Sequence, residues 1–262
     1  MLMVMDTVRH IPELDLAHRL VLATDLDGTF LGGSPAHRDR LYRWLNATSD
    51  ALLIFVTGRD PRFIADLCAS DHVPTPTYVI GDVGTTIAEF RQGQVAPIAE
   101  LESHIRIGWE GKAERVRTRL SGVPGLWLQP ASFRHRLSYQ YDERFDRSAL
   151  SVLDGLEVDV LISHGCFVDI LPRGVSKGPS LQRLIAHLGL SAERVLVAGD
   201  TLNDLSMFET GLHGAVVGGA EAELLAATAH LPRAHRCRHH GAGGIIEAIH
   251  AHGLHPNPPE VP

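Results

Sequence analysis

The stretch Thr24-Asp25-Leu26-Asp27-Gly28-Thr29 decides the fold, and it completes the apolar run from Arg19 to Thr24. Side chains at the carboxyl end of a parallel strand face the crevice where ligands bind. Two carboxylates two residues apart allow one to act as nucleophile and metal ligand and the other as general acid and base. Gly28 permits a sharp turn, and the Thr29 hydroxyl can order the loop. The alternative is an ordinary Asp-Gly turn between a strand and a loop.

Apolar, β-branched runs alternate with helical patterns on both sides of this stretch. This βαβα rhythm predicts a parallel sheet. It stops after the strand pattern at Tyr78 to Gly84 and resumes after Pro172. Between them lie a hairpin from Thr86 to about Ile98, a long helix near Glu100 to Leu120, and antiparallel strand patterns. We therefore predict an α/β fold with a doubly wound, mostly parallel, Rossmann-like core (residues 1–88 and 172–262) and an inserted α+β cap domain (residues 89–171).

The composition of the 262-residue chain is that of a globular protein, with 44% hydrophobic and 21% charged residues. A formal net charge of −7 argues against nucleic acid as a partner, because neutralising its backbone requires clustered Lys and Arg. The longest apolar runs are strand-sized, so no membrane span is expected. Acidic residues close to the N-terminus do not fit a secretion signal, and three scattered cysteines do not form a disulfide framework. A cytoplasmic protein is expected.

Three further segments carry the residue types that a phosphate site needs. Thr57 and Gly58 follow the apolar run Ala51 to Val56, and a hydroxyl beside a glycine N–H can cradle an oxyanion. Lys177 opens a predicted helix, where its ammonium would neutralise charge on nucleophile and phosphate. A fourth segment, Gly199-Asp200-Thr201-Leu202-Asn203-Asp204, ends another apolar strand with oxygen ligands of the kind Mg²⁺ prefers. Each segment alone could be a turn, a solvated lysine or a helix cap, but four such segments at four element ends favour one joint site.

The set resembles the haloacid dehalogenase superfamily of phosphatases, with its DxDGT loop, second-loop Thr or Ser, third-loop Lys and fourth-loop GDxxND. The resemblance implies that Asp25 attacks phosphorus and that Asp27 protonates the leaving oxygen and then activates water. It implies that Thr57, Gly58 and Lys177 hold the phosphoryl group. The expected metal residues are Asp25, Asp27 through its main-chain carbonyl, Asp200 and Asp204, which would hold a Mg²⁺ ion. Asn203 and Asp204 would also support waters or phosphate.

Shorter segments resemble sucrose-phosphate phosphatases and their relatives: Gly81 to Ile87, Leu137 to Tyr139, Val168 to Pro172 and Gly243 to Ile249. The resemblance implies a small sugar-phosphate substrate, with sucrose-6-phosphate the leading candidate. Esters of mannosylfructose, glucosylglycerol and trehalose are alternatives, as are a sugar phosphomutase or phosphotransferase and a non-catalytic sugar-phosphate-binding regulator. One departure is Thr86, where sucrose-phosphate phosphatases usually carry an acidic residue.

The residues expected to contact the sugar are Arg59, Gly84, Thr85, Thr86 and Tyr139. Trp109 and Trp127 are expected to pack in the cap core, because large aromatic side chains bury much area. The histidines near Cys237 have a spacing that fits no standard zinc site.

Overall fold

The computed structural model describes residues 18–70, 72–130, 133–163 and 165–261. The acidic residues near the N-terminus lie outside these ranges. So does His164, for which the sequence predicts a turn with Gly165. The first half of the chain contains β1 (Leu20–Thr24), α1 (Pro35–Ala47), β2 (Ala51–Val56), α2 (Pro61–Ala69), β3 (Tyr78–Gly81), β4 (Thr86–Arg91), β5 (Gln94–Pro97), α3 (Ala99–Trp109), α4 (Lys112–Leu120) and β6 (Leu126–Leu128). The second half contains β7 (Leu137–Tyr141), β8 (Val158–Ser163), β9 (Phe167–Pro172), α5 (Lys177–Leu188), β10 (Val195–Gly199), α6 (Leu205–Phe208), β11 (His213–Gly218), α7 (Ala222–Ala227), β12 (Ala234–His240) and α8 (Ala242–Ala251).

The larger sheet has the strand order β12-β11-β10-β1-β2-β3-β4-β5, and its first six strands run parallel. Its central strands β1, β2, β3 and β10 are near-continuous apolar runs because helices cover both faces. Leu41 of α1 and Ile245 of α8 pack on one face, and Leu181 of α5 and Met207 of α6 pack on the other. This confirms the predicted doubly wound α/β fold.

The order of the strands reverses at β1, which lies between β2 and β10. Thr24 pairs in register with Phe55 on one side and Ala198 on the other. The loops after these three strands therefore open at the same edge of the sheet. This switch point is where ligands bind in open α/β sheets.

The hairpin of β4 and β5 belongs to the larger sheet, because β4 pairs antiparallel with β3. Residues 89–97 thus extend the sheet of the core, although the predicted boundary assigned them to the cap. The remainder of the division into residues 1–88 and 172–262 against 89–171 stays a prediction. Helix α3 follows the hairpin. Its Ile105 packs in the hydrophobic cluster of the larger sheet with Ile80 and Leu181, and its Trp109 packs in a separate cluster with Val116 and Tyr139.

The smaller sheet has the antiparallel order β6-β7-β9-β8. One face packs on α3 and α4 through a cluster that includes Trp109, Val116 and Tyr139. The other face presents Ser138, Phe167 and Asp169 to a cleft above the switch point. Successive side chains of a strand alternate between faces, so Ser138 and Tyr139 necessarily point in opposite directions.

The structure differs from two predictions, one for a helix and one for a tryptophan side chain. The expected helix from Glu100 to Leu120 is two helices, because Glu110 leaves the helical conformation and Gly111 adopts a left-handed one with φ 70°. Trp109 is buried as expected, whereas Trp127 is 44% exposed and donates its indole N–H to Gln140, 3.1 Å away.

Strand β12 was not predicted, because its alternating histidines and arginines lack an apolar run. Glu247 of α8 holds it by accepting from the His239 ring at 3.0 Å and from the backbone N–H groups of Arg238 and His239. Although partial burial acts in the opposite direction, these hydrogen bonds lower the pKa of Glu247 to about 2.

Among the described residues, no helix has the length and apolar character needed to cross a membrane.

Candidate active site

Asp25 is the first residue after β1, and its backbone N–H donates to the Ala198 carbonyl of β10 at 2.9 Å. The loop then turns back at Gly28, whose φ is +79°. A Cβ at this position would lie 2.2 Å from Asp200 Oδ2. Thr29 completes the turn by donating its hydroxyl to Asp200 Oδ1 at 2.7 Å. The first and fourth predicted segments therefore fit against each other, and only glycine satisfies both the backbone and the space at position 28.

Lys177, the first residue of α5, is fully buried beneath this loop. Its ammonium donates to Asp25 Oδ1 at 2.7 Å, to Asp204 Oδ1 at 2.6 Å and to Asn203 Oδ1 at 2.7 Å. These three acceptors match the three N–H bonds of an ammonium group. Burial alone would lower the pKa of Lys177, but Asp204 and Asp25 raise it above its ordinary value. The lysine is therefore charged and fixed in place.

Asp204 supports both the lysine and the loop that carries Asp200. Its Oδ2 accepts from the backbone N–H groups of Asp200 and Thr201, each at 3.0 Å. Because its other oxygen faces Lys177, the Asp204 carboxylate already has partners on both sides. These bonds fit the supporting role expected for Asp204, and its coordination of a metal ion remains a prediction.

The donor set fits a hard divalent cation. Asp25, Asp200 and Asp204 each offer an oxygen within 4.8 Å of the others. The ammonium of Lys177 is the positive charge placed beside these three carboxylates. Burial raises the pKa of Asp25 to about 8 in spite of Lys177. More positive charge is needed to keep Asp25 ionised at neutral pH, and Mg²⁺ prefers a few carboxylates together with waters and phosphate oxygens. Coordination by the main-chain carbonyl of Asp27 remains a prediction.

The side chain of Asp27 instead faces Arg59. The Arg59 guanidinium donates to both Asp27 oxygens, at 2.8 and 2.9 Å, and stacks over the Phe63 ring with 4.5 Å to its centroid. Both partners are about half exposed, so the pair contributes little to stability. Its importance is geometric, because it connects the predicted acid and base to the loop after β2. Arg59, expected to contact the sugar, therefore contacts Asp27.

Thr57 and Gly58 form the turn after β2, opposite Asp25. The backbone of Thr57 is fixed on both sides, since its N–H donates to the Ile80 carbonyl and its carbonyl accepts from Val83. Its hydroxyl oxygen accepts from the Arg59 N–H at 3.1 Å. That bond occupies a lone pair and leaves the hydroxyl hydrogen available to an incoming oxyanion.

A cleft of about 490 Å³ separates these loops from the smaller sheet. Core residues on its wall include Asp25, Asp27, Gly58, Arg59 and Asn203. The opposite wall combines polar groups with two aromatic rings: Gln129, Phe133, Arg136, Ser138, Ser163, Phe167 and Asp169. A cavity with apolar faces and a few fixed polar groups is typical of a small-molecule site.

Four of the predicted sugar contacts do not line this cleft. Thr86 and Thr85 are buried and donate their hydroxyls to Asp82, to Oδ2 at 2.9 Å and to the carbonyl at 3.0 Å respectively. Gly84 packs against Ser176, since a Cβ there would lie 2.3 Å from the Ser176 carbonyl carbon. These three residues shape the loop instead of facing a ligand. The expectation for Tyr139 is corrected, because this side chain lies in the cap core on the far face of the sheet.

The sequence reasoning missed the cap residues that do line the cleft, Arg136, Ser138 and Asp169 above all. Arg136 donates to Asp169 Oδ1 at 2.6 Å, and Ser138 donates to the same oxygen. The signal was present, since Ser138 and Asp169 lie within the quoted segments Leu137 to Tyr139 and Val168 to Pro172. The error was to select Tyr139 from its segment without assigning a face to each residue.

The chain is similar to several known proteins. A profile of the sucrose-6F-phosphate phosphohydrolase family matches residues 18–253. Glucosylglycerol-phosphate synthase of Pseudomonas anguilliseptica is 37% identical over 238 residues, which cover 88% of this chain and 30% of that protein. Sucrose-phosphatase 2 of Nicotiana tabacum is 30% identical over 266 residues, which cover 94% of this chain and 62% of that protein. The chain thus spans about a third to three fifths of the length of these two relatives.

Two further matches extend over nearly their whole length. Mannosylfructose-phosphate phosphatase of Agrobacterium fabrum is 28% identical, with 90% of this chain and 98% of that protein covered. The X-ray structure of the sucrose-phosphatase from Synechocystis sp. PCC6803 in complex with sucrose and phosphate superposes with a TM-score of 0.82 and 26% identity, over 90% of this chain and 98% of that one. The chain belongs to the sucrose-6F-phosphate phosphohydrolase family, within the haloacid dehalogenase superfamily.

Proposed function

We propose that this chain is a Mg²⁺-dependent phosphatase that hydrolyses the phosphate ester of a disaccharide or similar glycoside through an aspartyl phosphate on Asp25. The observation that supports this best is the buried Lys177, which connects Asp25, Asn203 and Asp204 at the floor of a polar cleft. An ammonium held beside Asp25 at the floor of an open cleft can neutralise negative charge on an incoming phosphoryl group.

The side chains divide the reaction between them. Asp25 attacks phosphorus while the bond from phosphorus to the sugar oxygen breaks and Asp27 gives that oxygen a proton. Asp27 then takes a proton from water, which attacks the same phosphorus and frees inorganic phosphate and Asp25. Thr57 and the Gly58 backbone hold the phosphoryl oxygens, Lys177 neutralises charge on Asp25 and on the phosphoryl group beside it, and bound Mg²⁺ would neutralise part of the remaining charge.

The contact between Asp27 and Arg59 favours the second of these steps. A carboxylate that accepts from both N–H groups of a guanidinium is in its ionised, base form. To protonate the sugar oxygen, Asp27 has to carry a proton and turn away from Arg59. Arg59 therefore holds the form that activates water.

The cap wall supports a glycoside as the leaving group. Asp169 and Gln129 offer an acceptor and a donor for sugar hydroxyls, and Phe133 and Phe167 offer apolar surface for ring carbons. Sucrose-6-phosphate is the leading candidate. Glucosylglycerol phosphate is a second one, favoured by the 37% identity to a protein named as its synthase.

A phosphate-release screen over sucrose-6-phosphate and the phosphate esters of glucosylglycerol, mannosylfructose and trehalose tests the proposal. We expect Mg²⁺-dependent release that prefers one of these esters and that is lost in the Asp25→Asn variant. Full activity in Asp25→Asn would refute the mechanism. An equal rate on every ester, together with simple aryl phosphates, would refute a dedicated glycoside phosphatase.

A further inference from the structure

Arg136 extends from the loop before β7 across the cleft to the core. One terminal nitrogen donates to Asp169 Oδ1 of the cap at 2.6 Å, and the other donates to the Gly58 carbonyl of the phosphate-binding turn at 2.9 Å. The guanidinium carbon lies 3.7 Å from the centroid of the Phe133 ring. The Arg136 side chain is only 5% exposed. A buried, doubly anchored arginine is held in one orientation.

The peptide group between Gly58 and Arg59 is consequently fixed at both ends. Its carbonyl accepts from Arg136, and its N–H donates to Thr57 Oγ1 at 3.1 Å. The second bond directs the Thr57 hydroxyl, whose hydrogen is then free for a phosphoryl oxygen. The orientation of a phosphate-binding hydroxyl in the core therefore depends on a side chain from the cap.

Charge pairing alone does not account for the position of Arg136. Asp82 Oδ1 lies 3.7 Å from an Arg136 nitrogen, too far for a hydrogen bond, and this buried oxygen has no hydrogen-bond partner among the described residues. A buried carboxylate oxygen without a partner is costly. The guanidinium nevertheless lies closer to the uncharged Gly58 carbonyl, at 2.9 Å, than to this carboxylate oxygen. The contact with the phosphate-binding turn is thus retained at the expense of a better ion pair.

We propose that Arg136 is a positioning residue, by which the cap aligns the peptide between Gly58 and Arg59 and with it the Thr57 hydroxyl for phosphate binding. The proposal rests on the proposed function in one respect, that this turn binds the phosphoryl group. It differs from a sugar contact because it acts on phosphate itself, whether or not a sugar is attached. A cap that lifts away from the core would release the peptide and weaken the hold on phosphate.

Inorganic phosphate separates the two roles, because it has no sugar. We compare Arg136→Gln and Arg136→Lys with Arg134→Gln, all with Mg²⁺ present, by calorimetric titration of phosphate and by kcat and KM for p-nitrophenyl phosphate. Arg134 is the matched control, since it ties the same loop to Glu102 at 2.6 Å without contacting the phosphate-binding turn. Arg136→Gln should bind phosphate roughly tenfold more weakly or worse, because a hydrogen bond from a charged donor is lost. Arg136→Lys should recover part of this loss, and Arg134→Gln should match the wild type.

Unchanged phosphate affinity in both Arg136 variants, with a raised KM for glycoside phosphates alone, would overturn the proposal and make Arg136 a sugar contact. An equal loss in Arg134→Gln would also overturn it, because anchoring of the loop would then suffice. Amide hydrogen exchange tests the same proposal on the wild type, so it does not depend on a variant that folds. Added phosphate should slow exchange at the Arg59 amide and in β7 together. Slowing at Arg59 alone would count against the proposal. A wild type that hydrolyses no glycoside phosphate would refute the proposed function while these phosphate measurements still decided the role of Arg136.

Discussion

Replacement of Lys177 by methionine keeps most of the side-chain volume and removes the ammonium from between Asp25, Asn203 and Asp204. Removing one partner of a buried ion pair costs about 3–5 kcal/mol. Burial raises the pKa of Asp25 to about 8 even with Lys177 present, so without metal Asp25 is mostly protonated at neutral pH and Asp204 is the carboxylate that loses its charged partner. That protonation relieves one buried charge and places the expected cost near the lower limit, about 3 kcal/mol.

Urea and thermal unfolding in EDTA measure this cost without contributions from bound metal. A loss of 3 kcal/mol lowers the Tm by roughly 6–12 °C for a chain of this size. The rate should fall by at least about 10²–10³, because a protonated Asp25 is no nucleophile and a group that stabilises the transition state is missing. Lys112→Met is the matched control, since Lys112 is the other lysine of the chain and its ammonium is exposed. A Lys177→Met protein with the stability of the control, or with kcat within tenfold of wild type, would refute this account of the site.

Three other substitutions test separate parts of the structure. Gly28→Ala should weaken Mg²⁺ binding at least tenfold in a metal titration, because the new Cβ collides with Asp200. Gly155→Ala is the control, since Gly155 has a similar φ of +76° and open space around it. It should cost only backbone strain of about 1 kcal/mol in urea unfolding. Tyr139→Phe should leave kcat/KM for the best glycoside phosphate within about twofold; a large rise in KM would return this residue to the sugar site. Glu247→Gln should lower the free energy of unfolding at pH 7 by about 1–2 kcal/mol, discounted for partial exposure. Because the folded pKa of Glu247 is depressed to about 2, this difference is present above about pH 4.5 and should vanish as the pH falls toward 2; a difference that stays constant with pH would contradict the assignment.

The core and the meeting of its predicted segments at one edge of the sheet could be predicted from the sequence because their signals are local. Asp25, Thr57 and Asp200 each follow a continuous apolar run, and the carboxyl ends of parallel strands necessarily meet. The cap was harder to predict because its antiparallel strands are short and half-exposed. The choice of Tyr139 over Ser138 shows the difficulty, since a shift of one residue along a strand changes the face.

Other features depend on contacts between distant parts of the chain. The hairpin beyond Thr86 joins the core sheet because Ile80 of β3 pairs with Ile87, a choice of partner that the hairpin pattern alone does not contain. Arg59 and Arg136 sit among 24 basic residues with no local motif to mark which of them face the cleft. The roles proposed for them rest on the distances to Asp27 and to the Gly58 carbonyl.

The measurement that tests the central claim most directly is chemical trapping of the phosphorylated residue. The Asp27→Asn variant with Mg²⁺ should still transfer phosphate from p-nitrophenyl phosphate to Asp25, because the p-nitrophenolate leaving group needs no proton. It should hydrolyse the resulting aspartyl phosphate slowly, because an asparagine at this position cannot take a proton from water. Borohydride reduces an acyl phosphate to the alcohol, so mass spectrometry of the quenched protein should find homoserine at position 25, and only when substrate was added. Phosphate release by the wild type together with an unmodified Asp25 in the trapped variant, or homoserine at another carboxylate, would contradict Asp25 as the nucleophile.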